Sequence, residues 1–581
     1  MPGVTRTLVV ATAGHVDHGK STLVQRLTGT DPDRWAEEKR RGMTIDLGFA
    51  HTTLASGTVV SFVDVPGHVR FLKNMLAGVG AVDACLFIVA ATEGWKPQSE
   101  EHLRILDLLG VGHGLVALTK VGLVDEEWEE LARLDVEDHV AGTFLEGAPI
   151  VSVDAISGRG VDELRDALDT VLATTPSAVD RGRPRLWIDR VFAAKGSGTV
   201  VTGTLAGGEI ALDAHLAVVG PSGHHDVRVR GIQSHGRAVP RVGPGHRVAL
   251  NLAGVQHDGI GRGDALVAAD QWHRCTRFDA ALTTLASIDH EVTRRGAWAL
   301  ALGSGEHAVR VRILGTEAIP AGGSGLIRVH LPHPLPLVPG DRFVLRDHGR
   351  EETIGGGEVL DVAPVRAASK ARPDRSVERV VAERGWIEVA ELDRVTGQAW
   401  TGGLVGGRWV VDPAVRSRRV DELRAQIQAA GPLGLDVAGL DERARALLGD
   451  LRPEGIHVEG GRAVLGERVD PLADHPYVKA LEAEPFAPPP PDGVDRAELR
   501  ELAKRNLVME RDGVWFAAAA VDLARQRVRE LTAENPEGFT VAQFRDATGA
   551  TRKYVLPLLA LLDGSGITRR RGDLRIPGPR L

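Results

Sequence analysis

Thr7-Leu8-Val9-Val10-Ala11-Thr12-Ala13-Gly14-His15-Val16-Asp17-His18-Gly19-Lys20-Ser21 decides the fold of the first third of the chain. Its first seven residues form an apolar run of strand length. The next eight fit G-x-x-x-x-G-K-[ST], and Thr22 to Leu27 continues as an amphipathic helix. In a strand–loop–helix of this kind the backbone N–H groups of residues 14–19 turn onto phosphate oxygens. Lys20 carries charge to the β- and γ-phosphates, and the Ser21 hydroxyl is placed to bind Mg²⁺. Asp17, acidic beside phosphate, is either a turn-forming residue or a bridge to a cation.

Downstream stand Arg41-Gly42-Met43-Thr44-Ile45-Asp46-Leu47-Gly48-Phe49 and the apolar strand Val59–Val63, which ends in Asp64-Val65-Pro66-Gly67-His68. An Asp at a strand end facing a phosphate loop can hold the Mg²⁺ shell, and Gly67 can offer an N–H to the γ-phosphate. Thr44 alone is an ordinary loop threonine. In order with Lys20, Ser21 and Asp64 it becomes a second hydroxyl for the metal, engaged only while γ-phosphate is present. Expected strands at 8–13, 59–63, 84–90, 115–118 and 149–153 alternate with helices at 21–27, 69–77, 99–109, 126–139 and 161–172. That alternation predicts a doubly wound α/β sheet with nucleotide at its carboxyl edge.

These three motifs together resemble those of the translational GTPases. The resemblance implies GTP/GDP as cofactor and a GTP hydrolysis stimulated by the ribosome, with His68 as catalytic residue orienting the attacking water. Guanine selection in such proteins uses N-K-x-D. Here the segment reads Leu118-Thr119-Lys120-Val121-Gly122-Leu123-Val124-Asp125: Thr119 stands for Asn, and Gly122 stands where Asp belongs. Lys120 is expected to cover the base, Asp125 to supply the carboxylate if the loop doubles back, and Ser152 and Val153 to form the last base-contacting element.

After Pro184 the texture changes to short alternating strands with glycine turns, which predicts two β-barrels, 184–270 and 271–365, behind a nucleotide domain of 1–175. This layout resembles elongation factor Tu and implies delivery of an aminoacyl-tRNA. Thr44–Phe49, Ile188-Asp189-Arg190-Val191-Phe192 and Gly198–Thr204 are most similar to the selenocysteine-specific elongation factors. A selenol is more acidic than a thiol, so a pocket choosing it over serine or cysteine can use fixed positive charge. Arg190 and Arg247 match that family's pocket positions. The plainer alternative is that, like most barrel-strand arginines, they pair with carboxylates.

From Ala367 a weak repeat recurs at Gly407-Arg408-Trp409-Val410, Gly461-Arg462-Ala463-Val464, Gly513-Val514-Trp515-Phe516 and Gly572-Asp573-Leu574-Arg575, at intervals of 54, 52 and 59 residues. Helices followed by a glycine-tipped hairpin predict four winged-helix units, 366–430, 431–472, 473–535 and 536–581. Within residues 539–581 of the last, eight basic residues face three acidic ones. Arg552 and Lys553 fall at a helix start and Arg569, Arg570 and Arg571 on the wing, a distribution suited to a phosphate backbone. The resemblance extends to this tail and implies that it holds a selenocysteine insertion hairpin of mRNA.

The whole chain of 581 residues has 43% hydrophobic and 25% charged residues, which excludes wholesale disorder, and Gly 69 with Pro 31 signals many turns. Its net charge of −8 excludes a uniformly basic nucleic-acid coat. No apolar run reaches the roughly 18 residues of a membrane span, the longest lying within Val82–Ala91. Cys85 and Cys275 are expected as buried free thiols. No cleavable leader is evident and the two cysteines suit a reducing compartment, so a cytoplasmic location is expected, and the chain is expected to be a monomer. The resemblance thus implies a GTP-dependent factor carrying selenocysteinyl-tRNA to the ribosome at in-frame UGA codons. The alternatives are a general aminoacyl- or initiator-tRNA GTPase, and a GTP-sensing winged-helix regulator of nucleic acid.

Overall fold

The computed structural model describes residues 6–32, 44, 46–67, 74–75, 82–194, 198–466, 472 and 474–581. Residues 1–404 with 408–412 form one compact unit, and 405–407 with 413–581 a second.

The first unit opens with a six-stranded sheet in the order Gly48–Thr53, Val59–Asp64, Thr7–Ala13, Ala84–Ala90, Gly114–Thr119, Ile150–Ser152. All pairs are parallel except the first, where Gly48 to Thr53 runs antiparallel to Val59–Asp64. Thr7–Ala13 and Ala84–Ala90 are apolar on both faces and almost wholly buried, as central parallel strands covered by helices must be. One face packs Leu23, Val24 and Leu27 of helix Lys20–Thr28 and Leu164, Leu168 and Leu172 of helix Val161–Thr174. The other packs Leu103 and Leu106 of Pro97–Leu108 and Val136 of Glu126–Val140. Strand Gly48–Thr53 was not anticipated, since 44–49 reads as a loop by motif.

The first barrel closes on itself. Strand His215–Gly220 pairs with both Ala265–Val267 and Gly223–Ser234, completing a ring through Arg185–Trp187, Gly198–Ala206 and Arg247–Ala253. Arg190–Ala194 adds to the outside of Gly198–Ala206. The second is a curved seven-stranded sheet centred on Arg274–Thr284, Ser324–Pro336 and Glu352–Asp361. Its Ala301 and Val344 join the apolar core of the nucleotide domain. Cys85 and Cys275 are buried free thiols.

Helices Val377–Arg384 and Val389–Thr396 share the core of the second barrel through Val380, Val381, Leu392 and Val395. Strand Trp409–Val411 pairs with Trp386–Glu388, so Gly407 precedes a strand and does not tip a hairpin. The other three repeats are hairpins: Ile456–Glu459 with Arg462–Leu465, Val508–Arg511 with Val514–Ala517, and Thr568–Arg571 with Leu574–Pro577. In the second unit, helix Ala518–Glu534 packs Ala520, Ala524 and Val528 against Phe539, Phe544, Val555 and Leu559, so it belongs to the core of the last winged helix. Among the described residues no helix is long and apolar enough to cross a membrane.

Candidate functional site

A cleft of about 650 Å³ opens at the carboxyl edge of the six-stranded sheet, where the phosphate loop meets the loops after Gly114–Thr119 and Ile150–Ser152. Asp17 sits in the loop with φ 62°, a left-handed turn that Asp tolerates because its short side chain bonds locally. Lys20 opens the first helix and is 6% exposed. Its Nζ donates to the carbonyls of Gly14 at 3.1 Å and His15 at 2.6 Å, which aims the ammonium along the loop.

Three oxygens converge beside it. Ser21 Oγ donates to Asp64 Oδ2 at 2.7 Å and stands 2.7 Å from Thr44 Oγ1. Thr12 Oγ1 donates to Asp64 Oδ1 at 2.6 Å and accepts from Val65 N–H at 3.1 Å, fixing the carboxylate at its strand end. Two hydroxyls and a carboxylate are the hard donors that Mg²⁺ takes, so the set fits the ion its motifs imply. Gly67 closes the cleft. A Cβ there would stand 2.7 Å from Val16 N and press on Lys20 Nζ, so only glycine lets the two loops approach this closely. His68 lies outside the described residues.

Under the loop the histidines are neutral. His102 is fully buried, and its Nδ1 accepts the N–H of Gly14 at 3.2 Å. Burial, reinforced by Lys20 and His15, pushes it down to about 3. Burial likewise takes His18 down to about 4, against the opposing pull of Glu93. Both line the underside of the loop and leave the cleft to Val16, Asp17, Gly19, Lys20, Ser21 and Thr22.

At the other end, Thr119 Oγ1 donates to the carbonyl of His18 at 2.7 Å, tying the strand end to the phosphate loop. Lys120 takes a left-handed backbone, φ 56°, and its Nζ pairs with Glu93 at 3.3 Å. Asp125 does not reach the cleft: its carboxylate accepts Trp128 N–H at 2.9 Å and caps helix Glu126–Val140. Ser152 also turns away, its hydroxyl accepting from Arg133 at 2.9 Å, and Val153 is buried in the core. The cleft is lined instead by the next three residues, Asp154, Ala155 and Ile156. The signal was in Asp154-Ala155-Ile156-Ser157-Gly158, which reads about one residue longer than the usual turn.

Arg190 and Arg247 come together on the ring of Phe49, with guanidinium carbons 4.5 and 3.4 Å from its centroid. Arg247 also holds Asp189 through both terminal nitrogens, and Arg190 lies 3.3 Å from Asp46. Burial works to raise Asp189, but Arg247 and Thr202 outweigh it and hold the carboxyl below its ordinary value. Arg262 donates to Asn74 Oδ1 at 2.7 Å and reaches Asp46 at 4.0 Å. Asp46, Phe49, Asp189 and Arg262 were not foreseen as parts of this cluster, because they come from two domains.

In the last winged helix Arg552, Lys553, Arg569, Arg570 and Arg571 are all exposed, on the first turn of Arg552–Gly564 and on the hairpin. Arg575 is buried and paired with Asp563 at 3.2 Å, and Arg545 pairs with Asp546.

With this geometry in hand, comparison with known proteins is decisive. Residues 5–174 match the elongation factor Tu GTP binding domain, 295–366 the β-barrel domain of the selenocysteine-specific elongation factor, and 530–576 the winged helix of elongation factor SelB. A selenocysteine-specific elongation factor of Desulfomicrobium baculatum is 34% identical over 98% of this chain and 99% of its own. The chain belongs to the selenocysteine-specific elongation factors. The Escherichia coli K12 member is 31% identical over 97% of this chain and 98% of its own. Elongation factor Tu 2 of Streptomyces avermitilis, at 32% identity, spans only 61% of this chain though 96% of its own. The crystal structure of a bacterial selenocysteine-specific elongation factor superimposes with a TM-score of 0.68 at 27% identity, covering 98% of this chain and all of that one. This member of the family is therefore a translational GTPase with barrel domains and a C-terminal winged-helix region, acting as a GTP-dependent factor for selenocysteine.

Proposed function

We propose that the protein carries selenocysteinyl-tRNA to a ribosome paused at an in-frame UGA while its last winged helix holds a hairpin of the same mRNA. The observation that carries this reading is the link between Asp46 and Arg190, 3.3 Å apart. Asp46 follows Thr44 by two residues, so the segment that completes the metal site also grips the arginine cluster of the first barrel. A change of nucleotide that moves Thr44 moves the aminoacyl pocket with it.

In this reading Gly19, Lys20 and neighbouring N–H groups hold the phosphates. Ser21, Thr44 and Asp64 hold Mg²⁺, which neutralises charge on the β- and γ-oxygens when bound. His68 orients the attacking water, a role resting on its place in the Asp-Val-Pro-Gly-His motif. Arg247, pre-paired with Asp189, and Arg190, paired with Asp46, present cationic faces toward an anionic selenium while disfavouring a neutral hydroxyl. Arg552, Lys553 and Arg569 to Arg571 contact the RNA backbone, and one chain holding both message and tRNA raises the local concentration of the pair.

The test is capture of the tRNA bound in extract by the full chain with a GTP analogue, followed by sequencing. One selenocysteine-specific tRNA is expected, and a mixture of elongator tRNAs refutes the reading. For the RNA arm, Arg569, Arg570 and Arg571 are replaced by Ala, because cutting the chain at 536 would strip the core partners from helix Ala518–Glu534.

A further inference from the structure

The family pattern for guanine recognition is incomplete in this chain, and the structure shows what stands in the gap. Gly122 occupies the position of the missing Asp, in the short turn Val121–Leu123 after Lys120. Its backbone does not require glycine, since its φ is outside the left-handed region. It provides room: a Cβ on Gly122 would stand 2.8 Å from Asp154 Oδ2 and 3.3 Å from Asp154 Cγ. The carboxylate of Asp154 thus fills the space into which a side chain at 122 would project, arriving from the neighbouring strand of the sheet.

We infer that Asp154 is the carboxylate that reads guanine, replacing in space the Asp that Gly122 lacks in sequence. The inference rests on the reading of this cleft as the nucleotide site. Among the described residues three carboxylates line the cleft. Asp17 belongs to the phosphate loop and Asp31 follows the first helix, so Asp154 is the one beside Lys120. The strands leading to Lys120 and Asp154 are second and third neighbours of Thr7–Ala13, roughly 10–15 Å across the sheet, the distance a nucleotide needs between phosphate and base.

Leu123 and Ile156, 75% and 83% exposed, also line this end. Two large apolar side chains in water beside a carboxylate make a slot that a flat purine covers. Asp154 is anionic at neutral pH, because the Ser157 hydroxyl at 2.5 Å, then the N–H groups of Ile156 and Ser157 at 3.2 Å, hold it below the ordinary carboxylate range. These bonds use one site on Oδ1 and two on Oδ2. A carboxylate has about four, and rotating the Ser157 hydroxyl frees another. Guanine offers two donors on one edge, N1–H and the 2-amino group, which a carboxylate accepts in parallel. Adenine presents an acceptor at N1 and no 2-amino group, so the same carboxylate rejects it.

The test is equilibrium binding of fluorescent GDP, ADP and xanthosine diphosphate to the full chain. Xanthine carries a carbonyl where guanine carries the 2-amino group, so an amide at 154 can donate to it. Asp154→Asn is expected to lose GDP affinity by roughly thirtyfold and to gain affinity for xanthosine diphosphate by roughly tenfold. The swap Gly122→Asp with Asp154→Gly is expected to bring GDP binding back to within about threefold of the original chain. The inference is overturned if Asp154→Asn binds GDP unchanged, or if it loses both nucleotides alike and the swap does not recover GDP, since Asp154 would then only brace its own loop. Equal binding of ADP and GDP by the original chain would also overturn it, whereas failure of the original chain to bind any of the three nucleotides would refute the nucleotide reading itself.

Discussion

Arg247 holds Asp189 with both terminal nitrogens, at 2.7 and 3.0 Å, while its guanidinium carbon lies 3.4 Å from the centre of the Phe49 ring. Asp189 is buried and Arg247 partly so, with side-chain exposures of 6% and 13%, so neither charge can be removed alone without cost. The same arginine is at once structural to the barrel and positioned against a ring from the nucleotide domain.

Arg247→Ala is expected to destabilise the chain by about 3 kcal/mol, because it leaves the buried Asp189 carboxylate with the Thr202 hydroxyl but without its paired charge. Arg247→Met combined with Asp189→Asn should recover most of that in urea denaturation. The double variant should protect a selenocysteinyl ester from hydrolysis no better than a seryl ester. Retained preference for selenium in that well-folded variant would remove Arg247 from the pocket.

Gly67→Ala places a methyl group against Lys20 Nζ and Val16 N–H. The ratio of GTP-analogue to GDP affinity is expected to fall about tenfold, since the clash lies where the γ-phosphate must be approached. Fluorescent-nucleotide titration measures it, and an unchanged ratio would show that the loop yields.

His102 accepts the Gly14 N–H and sits near a pKa of 3, against an ordinary 6.5. Its folded value is depressed, so its contribution is complete above pH 6.5. It is lost as pH falls toward 3, because the unfolded chain takes the proton first. By pH 5 the loss amounts to about 2 kcal/mol. His102→Asn keeps an acceptor for Gly14 without the titration. Its stability should therefore fall less than that of the original chain between pH 7 and pH 5, as followed by thermal denaturation.

Replacing Arg569, Arg570 and Arg571 by Ala should lower RNA-hairpin affinity and reduce the slope of log K against log salt by about 2–3, with the melting temperature unchanged. Arg575→Ala should do the reverse. It breaks the partly buried bond to Asp563 and costs about 1–2 kcal/mol of stability, with little change in salt slope.

The nucleotide domain was legible because its signals are local. A strand, a glycine loop and a helix start lie within fifteen consecutive residues, and each obeys short-range rules of propensity and turn geometry. The second barrel was harder to read. Strand Glu352–Asp361 contains Gly355-Gly356-Gly357, which reads as a turn but is extended and packs against helix Pro97–Leu108. A Cβ on Gly356 would lie 2.7 Å from Leu108 Cβ, a demand set by a residue some 250 positions away. The first repeat misled for a similar reason: Trp409–Val411 finds its partner across an intervening helix, a pairing that no hairpin signal announces.

Sequence by itself determined the phosphate loop, the barrel texture and the basic wing, since each is written in contiguous residues whose chemistry does not depend on distant neighbours. Tertiary structure alone decided which carboxylates face which partners. Asp125 went to a helix cap, Asp189 to Arg247, Asp46 to Arg190, and Asp154 to the space above Gly122. A charged side chain adopts the partner that burial brings within reach, and that choice is made by packing between segments, not by the order of residues along the chain.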